Sequence, residues 1–430
     1  MRNRAILAAA ISMALWSGAA QSIPDLSEIF QFHAYGTADV VHSSQSEADF
    51  VSSSSQQPQG AGYTRSWSPD VDSKLAVQLD SHFTDKLSAV VQLISENDNN
   101  STWTGKPNPR YRPSLEWANV KYFVTDDLSV RVGRMVLPFN LLSEFRNVGY
   151  SLPFVRAPAE LYGTIPFTNF DGGEVSYSHH FGGVINTFVA GVGVTTIRSV
   201  SLGASQAHIN LLTDTVEVGA LTLRADASYG TFKTPLGFGT LFDGFADAVA
   251  VIPGEGDAAS TAEYLDSRYN TDHWGHIQTY GVGASYDPGR WFGMGELQRN
   301  YNTGLAGVSG SGFVTFGYRV QELTPYATYA RIITGYPEHP SIPLIGLPPP
   351  LAAYGGTLNG ILAGITSGNT SQQTLSAGLR WDFVKNLDLK VQYDYVRLDA
   401  GSTGLFANEQ PGFRPGSTAS VFSAAVDFAF

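Results

Sequence analysis

The stretch QTLSAGLRWDFVKNLDLKVQYDYVR, residues 373–397, alternates between two kinds of side chain on either side of one short turn. Apolar residues occupy every second position before the VKN turn at 384–386, and the alternation resumes after it. Successive side chains of a β-strand point to opposite faces of the sheet, so each half has one apolar and one polar face. The stretch therefore predicts a β-hairpin whose two faces meet different surroundings.

The same alternation recurs along the whole chain and predicts sixteen strands. They are 31–42, 71–83, 87–95, 114–124, 128–136, 171–179, 183–194, 205–213, 219–231, 276–286, 290–301, 311–320, 324–334, 373–383, 387–397 and 419–430. Every second connection is short, as at 84–86 or 287–289, and most of the others are long, as at 43–70 or 232–275. This alternation predicts an all-β, membrane-spanning antiparallel up-and-down β-barrel with short periplasmic turns and long external loops. A soluble β-sandwich is the alternative, although it gives no reason to separate short from long connections.

The first residues, MRNRAILAAAISMALWSGAAQS, combine two arginines, an apolar run and small residues. This pattern predicts a signal peptide at 1–20, followed by a short periplasmic segment at 21–30 and one barrel domain at 31–430. Removing two arginines would change the formal net charge from −12 to −14. No later apolar run reaches the length of about 20 residues that a membrane-spanning helix needs.

The composition argues against several classes of site. The chain has no Cys, so it can form neither a disulfide nor a thiolate metal site. The pair His273 and His276 has no convincing third ligand nearby, and the glycine-rich pieces precede no helix that could bind a phosphate group. Arg and Lys are scattered singly, which is not typical of nucleic-acid binding. We expect no metal, no cofactor, no nucleic acid and no enzymatic activity.

Four features of the sequence resemble bacterial outer-membrane porins of the general-diffusion and phosphate-selective types. They are the signal peptide, the count of sixteen strands, the segment VRVGRMVLPFN at 130–140 and the last strand, VFSAAVDFAF at 421–430. The resemblance implies that loop 137–170 folds into the barrel as a constriction, and that the protein is a homotrimer in contact with membrane lipid and lipopolysaccharide. It also implies that the barrel-assembly machinery reads an assembly signal in the last strand, at Phe422, Val426, Phe428 and Phe430. The loop lacks the lysine cluster of phosphate-selective members.

A water-filled lumen would be lined by the polar half of each strand. The expected pore-lining and constriction residues are Arg131, Arg134, Glu144, Arg146, Arg156, Glu160, Lys74, Lys121, Arg224, Arg331, Arg380, Lys390 and Asp394. The inward bases, with Arg319 among them, slightly outnumber the inward acids, which are expected at Asp72, Asp80, Glu174, Asp226, Asp382 and Asp394. We therefore expect passive diffusion of small hydrophilic solutes and ions, with a weak preference for anions. A channel specific for small organic acids or other anions is an alternative, and so is a receptor or adhesin that uses the long loops.

Overall fold

The computed structural model describes residues 29–97, 111–165, 167–199, 203–233, 239–269, 275–302, 304 and 307–430. The signal peptide predicted at 1–20 and most of the segment 21–30 lie outside these residues. Sixteen long strands form one sheet: β1 Phe30–Ser43, β2 Lys74–Thr84, β3 Leu87–Glu96, β4 Ser114–Phe123, β5 Leu128–Val136, β6 Asn169–Phe181, β7 Val184–Ser199, β8 Gly203–Val218, β9 Leu221–Lys233, β10 Gly275–Tyr286, β11 Trp291–Asn302, β12 Val308–Tyr318, β13 Leu323–Gly335, β14 Gln372–Val384, β15 Leu387–Leu398 and β16 Thr418–Ala429. Two-residue strands at Asp49–Phe50, Ala61–Gly62 and Trp67–Ser68 lie in the loop between β1 and β2.

Each strand pairs antiparallel with its neighbours in the chain, and β16 pairs with β1 to close the barrel. The last residue takes part in this seam: the Phe430 amide donates to the Ala34 carbonyl at 2.8 Å, and the Ala34 amide donates to Phe430 at 2.9 Å. Closure satisfies the backbone hydrogen bonds that a sheet edge would leave exposed to lipid. The prediction of a sixteen-stranded antiparallel barrel is confirmed.

Strand boundaries agree with the sequence prediction to within a few residues, except near the middle of the chain. There β7 extends to Ser199 and β8 runs from Gly203 to Val218, so most of the loop predicted at 195–204 is strand. The turn that follows, between β8 and β9, is correspondingly short.

The two faces of the wall differ as the alternation predicts. Large apolar side chains are exposed on the outer face, among them Leu75, Val132, Val192, Leu297 and Leu375. The opposite positions are polar and buried, as with Gln392, Asp394, Ser423 and Asp427 on the last two strands. An apolar outer face around a polar interior is the pattern of a membrane-spanning barrel.

Helices occur in three of the long connections, which the strand count treats as irregular. A 3₁₀ turn at Gly149–Ser151 and the short helix α1 at Ala159–Tyr162 lie between β5 and β6. Helices α2 (Gly239–Ala250) and α3 (Gly256–Tyr269) precede β10, and α4 (Pro349–Thr366) precedes β14. None of the helices in the described part of the chain is long and apolar enough to cross a membrane.

Helices α2, α3 and α4 pack against one another with the segment before α4, and we call this unit the helical cap. Its common core buries Phe245 and Val249 of α2, Leu265 of α3 and Leu358 of α4, each at most 1% exposed. The Tyr354 hydroxyl also donates to the Leu241 carbonyl at 3.1 Å. Two connections far apart in sequence therefore form a single packed unit.

Candidate functional site

The connection between β5 and β6, residues 137–168, runs inside the barrel, and we call it the inner loop. It meets inward side chains of widely separated strands. Asn140 Nδ2 donates to Gln298 Oε1 of β11 at 2.7 Å, and the Val155 amide donates to Gln392 Oε1 of β15 at 3.1 Å. Because the inner loop leaves the wall at β5 and reaches β11 and β15, it crosses the lumen.

Arg156 of the inner loop joins two acids of the wall. Its guanidinium donates from Nε to Asp72 Oδ2 at 2.8 Å and from Nη1 to Asp394 Oδ2 at 2.9 Å. Nη2 lies 2.7 Å from the same Asp72 oxygen and donates to Ser423 Oγ at 2.6 Å. The Arg156, Asp72 and Asp394 side chains are at most 6% exposed. This buried, multiply bonded arginine attaches the inner loop to side chains of three different parts of the chain.

A second attachment uses the inner loop's backbone carbonyls. Lys390 Nζ donates to the Gly149 carbonyl at 2.6 Å and lies 2.9 Å from Asp427 Oδ2 and 3.7 Å from Asp388 Oδ1. Arg380 Nη1 donates to the Tyr150 carbonyl at 2.6 Å, while its Nη2 lies 3.2 Å from Asp388 Oδ2. The cluster thus ties the 3₁₀ turn to β14, β15 and β16.

Near α1 the inner loop packs through both polar and aromatic groups. Glu160 accepts hydrogen bonds from Thr374 Oγ1 and from Gln372 Nε2, the latter at 2.7 Å. Burial raises the pKa of the Glu160 carboxyl, and these two hydrogen bonds oppose the rise. The Tyr162 hydroxyl donates to Glu296 Oε2 at 2.7 Å, and its ring meets that of Phe313 edge to face.

Space remains on the side of the lumen next to β1–β3. A polar cavity of about 90 Å³ lies there, between the inner loop and the wall. Bases and acids both line it: Lys74, Arg146 and Arg156 face Asp72 and Glu96. Charges of both signs around a narrow opening can orient dipolar solutes.

The structure places most of the expected lining residues on the inner side. Lys74, Lys121, Arg131, Arg224, Arg380, Lys390 and Asp394 occupy inward strand positions, and Arg146, Arg156 and Glu160 of the inner loop face the interior. Arg131 Nη2 lies 2.9 Å from Glu174 Oε1, and Arg224 bonds both Asp226 and the Pro138 carbonyl. Glu144 is exposed, and it acts electrostatically on Lys121 and Glu174.

Two expected lining residues are on the outer face, and for these the prediction is wrong. Arg134 is three positions from Arg131, an odd spacing that turns its side chain outward, where it forms a bidentate pair with Asp171 at 2.7 and 2.8 Å. Arg331 alternates with Ala330 and Ile332, which are buried inside at 2% exposure, so it points outward and pairs with Asp399. Arg319 lies just beyond the end of β12, where it is bound to Asp287 and stacks over the ring of the inward-facing Phe292 at 5.0 Å.

The inner wall also holds acids that the sequence count omitted. Asp39, Glu116, Glu296, Asp388 and Asp427 are all buried, at 7% exposure or less. The alternation does place Asp388 and Asp427 on the polar face of well-patterned strands, although the tally of inward acids left them out. Glu116 could not be assigned from sequence, because it lies at an irregularity in the pairing of β3 with β4.

The described residues contain no group of three or more His, Cys, Asp or Glu side chains arranged to hold a metal ion. The inner charges instead bind one another and the inner loop. Their arrangement is suited to narrowing and polarising an aqueous path.

Comparison with models of known protein families finds no match, and neither does comparison with curated proteins. Among solved structures, the chain is similar to an anion-selective porin from Comamonas acidovorans, with 11% identity and a TM-score of 0.51 over 93% of this chain and 99% of that one. It is also similar to Salmonella typhi OmpF in complex with daunomycin, with 12% identity and a TM-score of 0.50 over 93% and 97%. Pseudomonas putida OprB at high pH matches with 10% identity and a TM-score of 0.50 over 94% and 95%.

The chain therefore has the fold of the Gram-negative outer-membrane porins, a closed antiparallel β-barrel. At identities of 10–12%, this likeness establishes the fold alone.

Proposed function

We propose that the protein is an outer-membrane channel through which small hydrophilic solutes and ions diffuse passively. The observation that carries the proposal is the polar, charge-lined interior of a closed barrel, in which a polar cavity of about 90 Å³ lies between the inner loop and the wall. In this proposal the inner loop is the constriction, and Lys74, Arg146 and Arg156 together with Asp72 and Glu96 form its charged rim. No enzymatic activity is proposed. Planar-bilayer recording of the purified protein tests the proposal, and an absence of discrete conductance steps would contradict it.

The ion selectivity that we now expect differs from the sequence expectation of a weak anion preference. That expectation counted Arg331 as inward and omitted five buried acids of the inner wall. With these changes the acids outnumber the bases on the inner side, and charged rings set the selectivity of a pore.

A weak cation preference should follow. In a bilayer between unequal KCl solutions, the reversal potential should have the sign for K⁺ permeation. The variant Glu96→Gln, at the rim of the cavity, should move it toward zero. Arg134→Gln on the outer face is the matched control and should leave it unchanged. An anion-favouring potential in the wild type would overturn this part of the proposal.

We also propose that the last strand carries the assembly signal, with Phe422, Val426, Phe428 and Phe430 on the lipid-facing side. Phe422 and Phe430 are 41% and 64% exposed, and neither contributes to the polar interior. A homotrimer embedded in lipid and lipopolysaccharide belongs to the same proposal, and cross-linking in intact membranes tests the trimer.

Deleting Phe430 should lower the yield of folded barrel, because it removes both backbone hydrogen bonds to Ala34 at the seam. Phe430→Ala keeps those bonds and separates two causes. If assembly machinery reads the ring, this variant should assemble poorly in cells but refold normally from urea into detergent, as measured by heat-modifiable gel mobility. Normal assembly of Phe430→Ala in cells would exclude the ring as a signal.

A further inference from the structure

Five charged side chains line the polar cavity between the inner loop and the wall. Two of them, Asp72 and Arg156, bind each other at 2.7 Å. The other three, Lys74, Glu96 and Arg146, form no ion pair with any residue that the structure describes. The cavity therefore presents two bases and one acid whose charges the fold leaves available.

Lys74 and Glu96 lie side by side on the barrel wall. They are directly opposite each other in the pairing of β2 with β3. Both face the lumen, since Leu75, the residue next to Lys74, is 52% exposed on the outer face. Residues in directly opposite positions have Cβ atoms roughly 5 Å apart. The wall thus offers a cation and an anion next to each other.

A turn of the inner loop presents Arg146 and Asn147 to the same cavity. A hydrogen bond from the Val148 amide to the Phe145 carbonyl, at 2.9 Å, closes this turn. The turn leads directly into Gly149, whose carbonyl is one of the attachment points of the inner loop. Neither side chain at the tip forms a hydrogen bond with the described residues. The guanidinium donors of Arg146 are therefore free to bind a solute.

Two acids attract Arg146 from beyond ion-pair distance, Glu116 and Glu96. Glu116 is 6% exposed, and its carboxylate accepts a hydrogen bond from Asn169 Nδ2 at 2.9 Å. Glu96 is half-buried and lines the cavity, whereas Glu116 does not. Of the two acids, Glu96 is thus the one that a solute in the cavity can reach.

The rest of the lining is mostly polar and uncharged. Ser52, Ser53, Gln56 and Gln57 of the connection between β1 and β2 contribute to it. Ser53 Oγ donates to the Gly163 carbonyl of the inner loop at 3.3 Å, so this connection and the inner loop enclose the cavity together. A volume of about 90 Å³ holds roughly six water molecules. The cavity therefore suits a compact polar solute.

We propose that the cavity binds a dicarboxylic α-amino acid, with the size and charge of glutamate or aspartate. The ammonium group of the solute lies at Glu96 and its α-carboxylate at the adjacent Lys74. The second carboxylate lies at the planar fork of Arg146. Two carboxylates and one ammonium group complement two bases and one acid, and such complementarity determines specificity.

This inference rests on the proposed function, and it names the class of solute that the channel recognises. The excess of positive charge is confined to this cavity. The cation preference that we expect for K⁺ reflects the whole inner wall, where acids outnumber bases. The two expectations therefore concern different parts of the lumen.

A ligand-observed NMR titration of the purified barrel in detergent measures binding without requiring conduction. L-Glutamate should bind at least about tenfold more tightly than glutarate, which lacks the ammonium group, or glutamine, which lacks the second carboxylate. L-Lysine, which reverses the balance of charges, should bind most weakly. Equal affinities for glutamate, glutarate and glutamine would overturn the proposal.

Variants at the three charged positions assign each group of the solute. Glu96→Gln should reverse the preference, so that glutarate binds more tightly than glutamate, because the ammonium group then lacks a partner. Lys74→Gln and Arg146→Gln should each weaken glutamate binding by about tenfold. Arg134→Gln is the matched control: it removes a positive charge just before the same inner loop, but on the outer face, and should leave the affinity unchanged.

Heat-modifiable gel mobility establishes that each variant is a folded barrel before its affinity is compared. A loss of structure would weaken glutamate and glutarate alike, whereas the proposal requires their order to change. An unchanged ratio of the two affinities in folded Glu96→Gln would contradict the placement of the ammonium group at Glu96.

Bilayer recording separates this inference from the proposed function. A wild-type protein that conducts but binds glutamate no better than glutarate would keep the channel and overturn the solute class. Binding of glutamate in the expected order by a protein that does not conduct would support the site and contradict passive diffusion.

Discussion

Replacing Arg156 by alanine is expected to raise single-channel conductance by a factor of about two or more, because pore diameter at the narrow point limits flow. Arg156 is the residue through which the inner loop reaches Asp72 just before β2, Asp394 of β15 and Ser423 of β16. Without its guanidinium, the two carboxylates would be left buried without a cation, a state that favours entry of water and ions. The inner loop should then move away from this wall and widen the path.

The measurement is single-channel recording in 1 M KCl (roughly 3 Å Debye length), where long-range charge effects are screened and diameter dominates. Arg134→Ala is the matched control: it precedes the same inner loop, but its partner Asp171 is on the outer face. An Arg156→Ala channel of wild-type conductance would show that the inner loop is held without this arginine. The conductance of Arg156→Lys should lie between those of the wild type and Arg156→Ala, since a lysine can bond only one of the two acids well.

Replacing Lys390 by methionine is expected to cause the largest loss of stability, about 3–5 kcal/mol. Asp388 and Asp427 are directly opposite each other in the pairing of β15 with β16, and both are fully buried. Neither Asp388 oxygen accepts a hydrogen bond from the described residues, so ion pairs with Lys390 and Arg380 hold this carboxylate. Without the lysine, the two opposed carboxylates remain buried next to each other with too little positive charge to compensate theirs.

Urea unfolding in detergent micelles, followed by tryptophan fluorescence, measures the loss. Lys121→Met is the matched control, because Lys121 also faces inward but stacks over the Phe123 ring at 4.5 Å rather than joining two acids. The double variant Lys390→Met/Asp427→Asn should recover most of the stability, since it removes one of the two opposed charges. If the double variant is no more stable than Lys390→Met, packing rather than charge accounts for the loss.

The barrel could be predicted from the sequence because lipid imposes one rule on every strand. Outward positions within the membrane are mainly apolar, and residues 375–395 follow that rule on both strands of the hairpin. The alternation of short and long connections then fixes the antiparallel order. Both features are local, so no knowledge of distant contacts was needed.

The inner wall was predicted less well, because its surroundings are protein as well as water. Tyr326, Ala330 and Ile332 of β13 are apolar yet point inward, where the first two share a buried cluster with the inner loop's Phe154 and Ile332 packs against Ala159. The rule that inward means polar therefore fails on this strand, and it placed Arg331 on the wrong side. Only the path of the inner loop, which no periodicity reveals, could have corrected the assignment.

The shared core of the helical cap has a consequence for how this surface can vary. Helices α2 and α3 belong to one connection and α4 to another, yet Phe245, Leu265 and Leu358 are buried in a single cluster. If the connection with α2 and α3, or the one with α4, were replaced alone by a different sequence, the other connection would lose its packing partner. The two connections should therefore be inherited, or transplanted into another barrel, as one module.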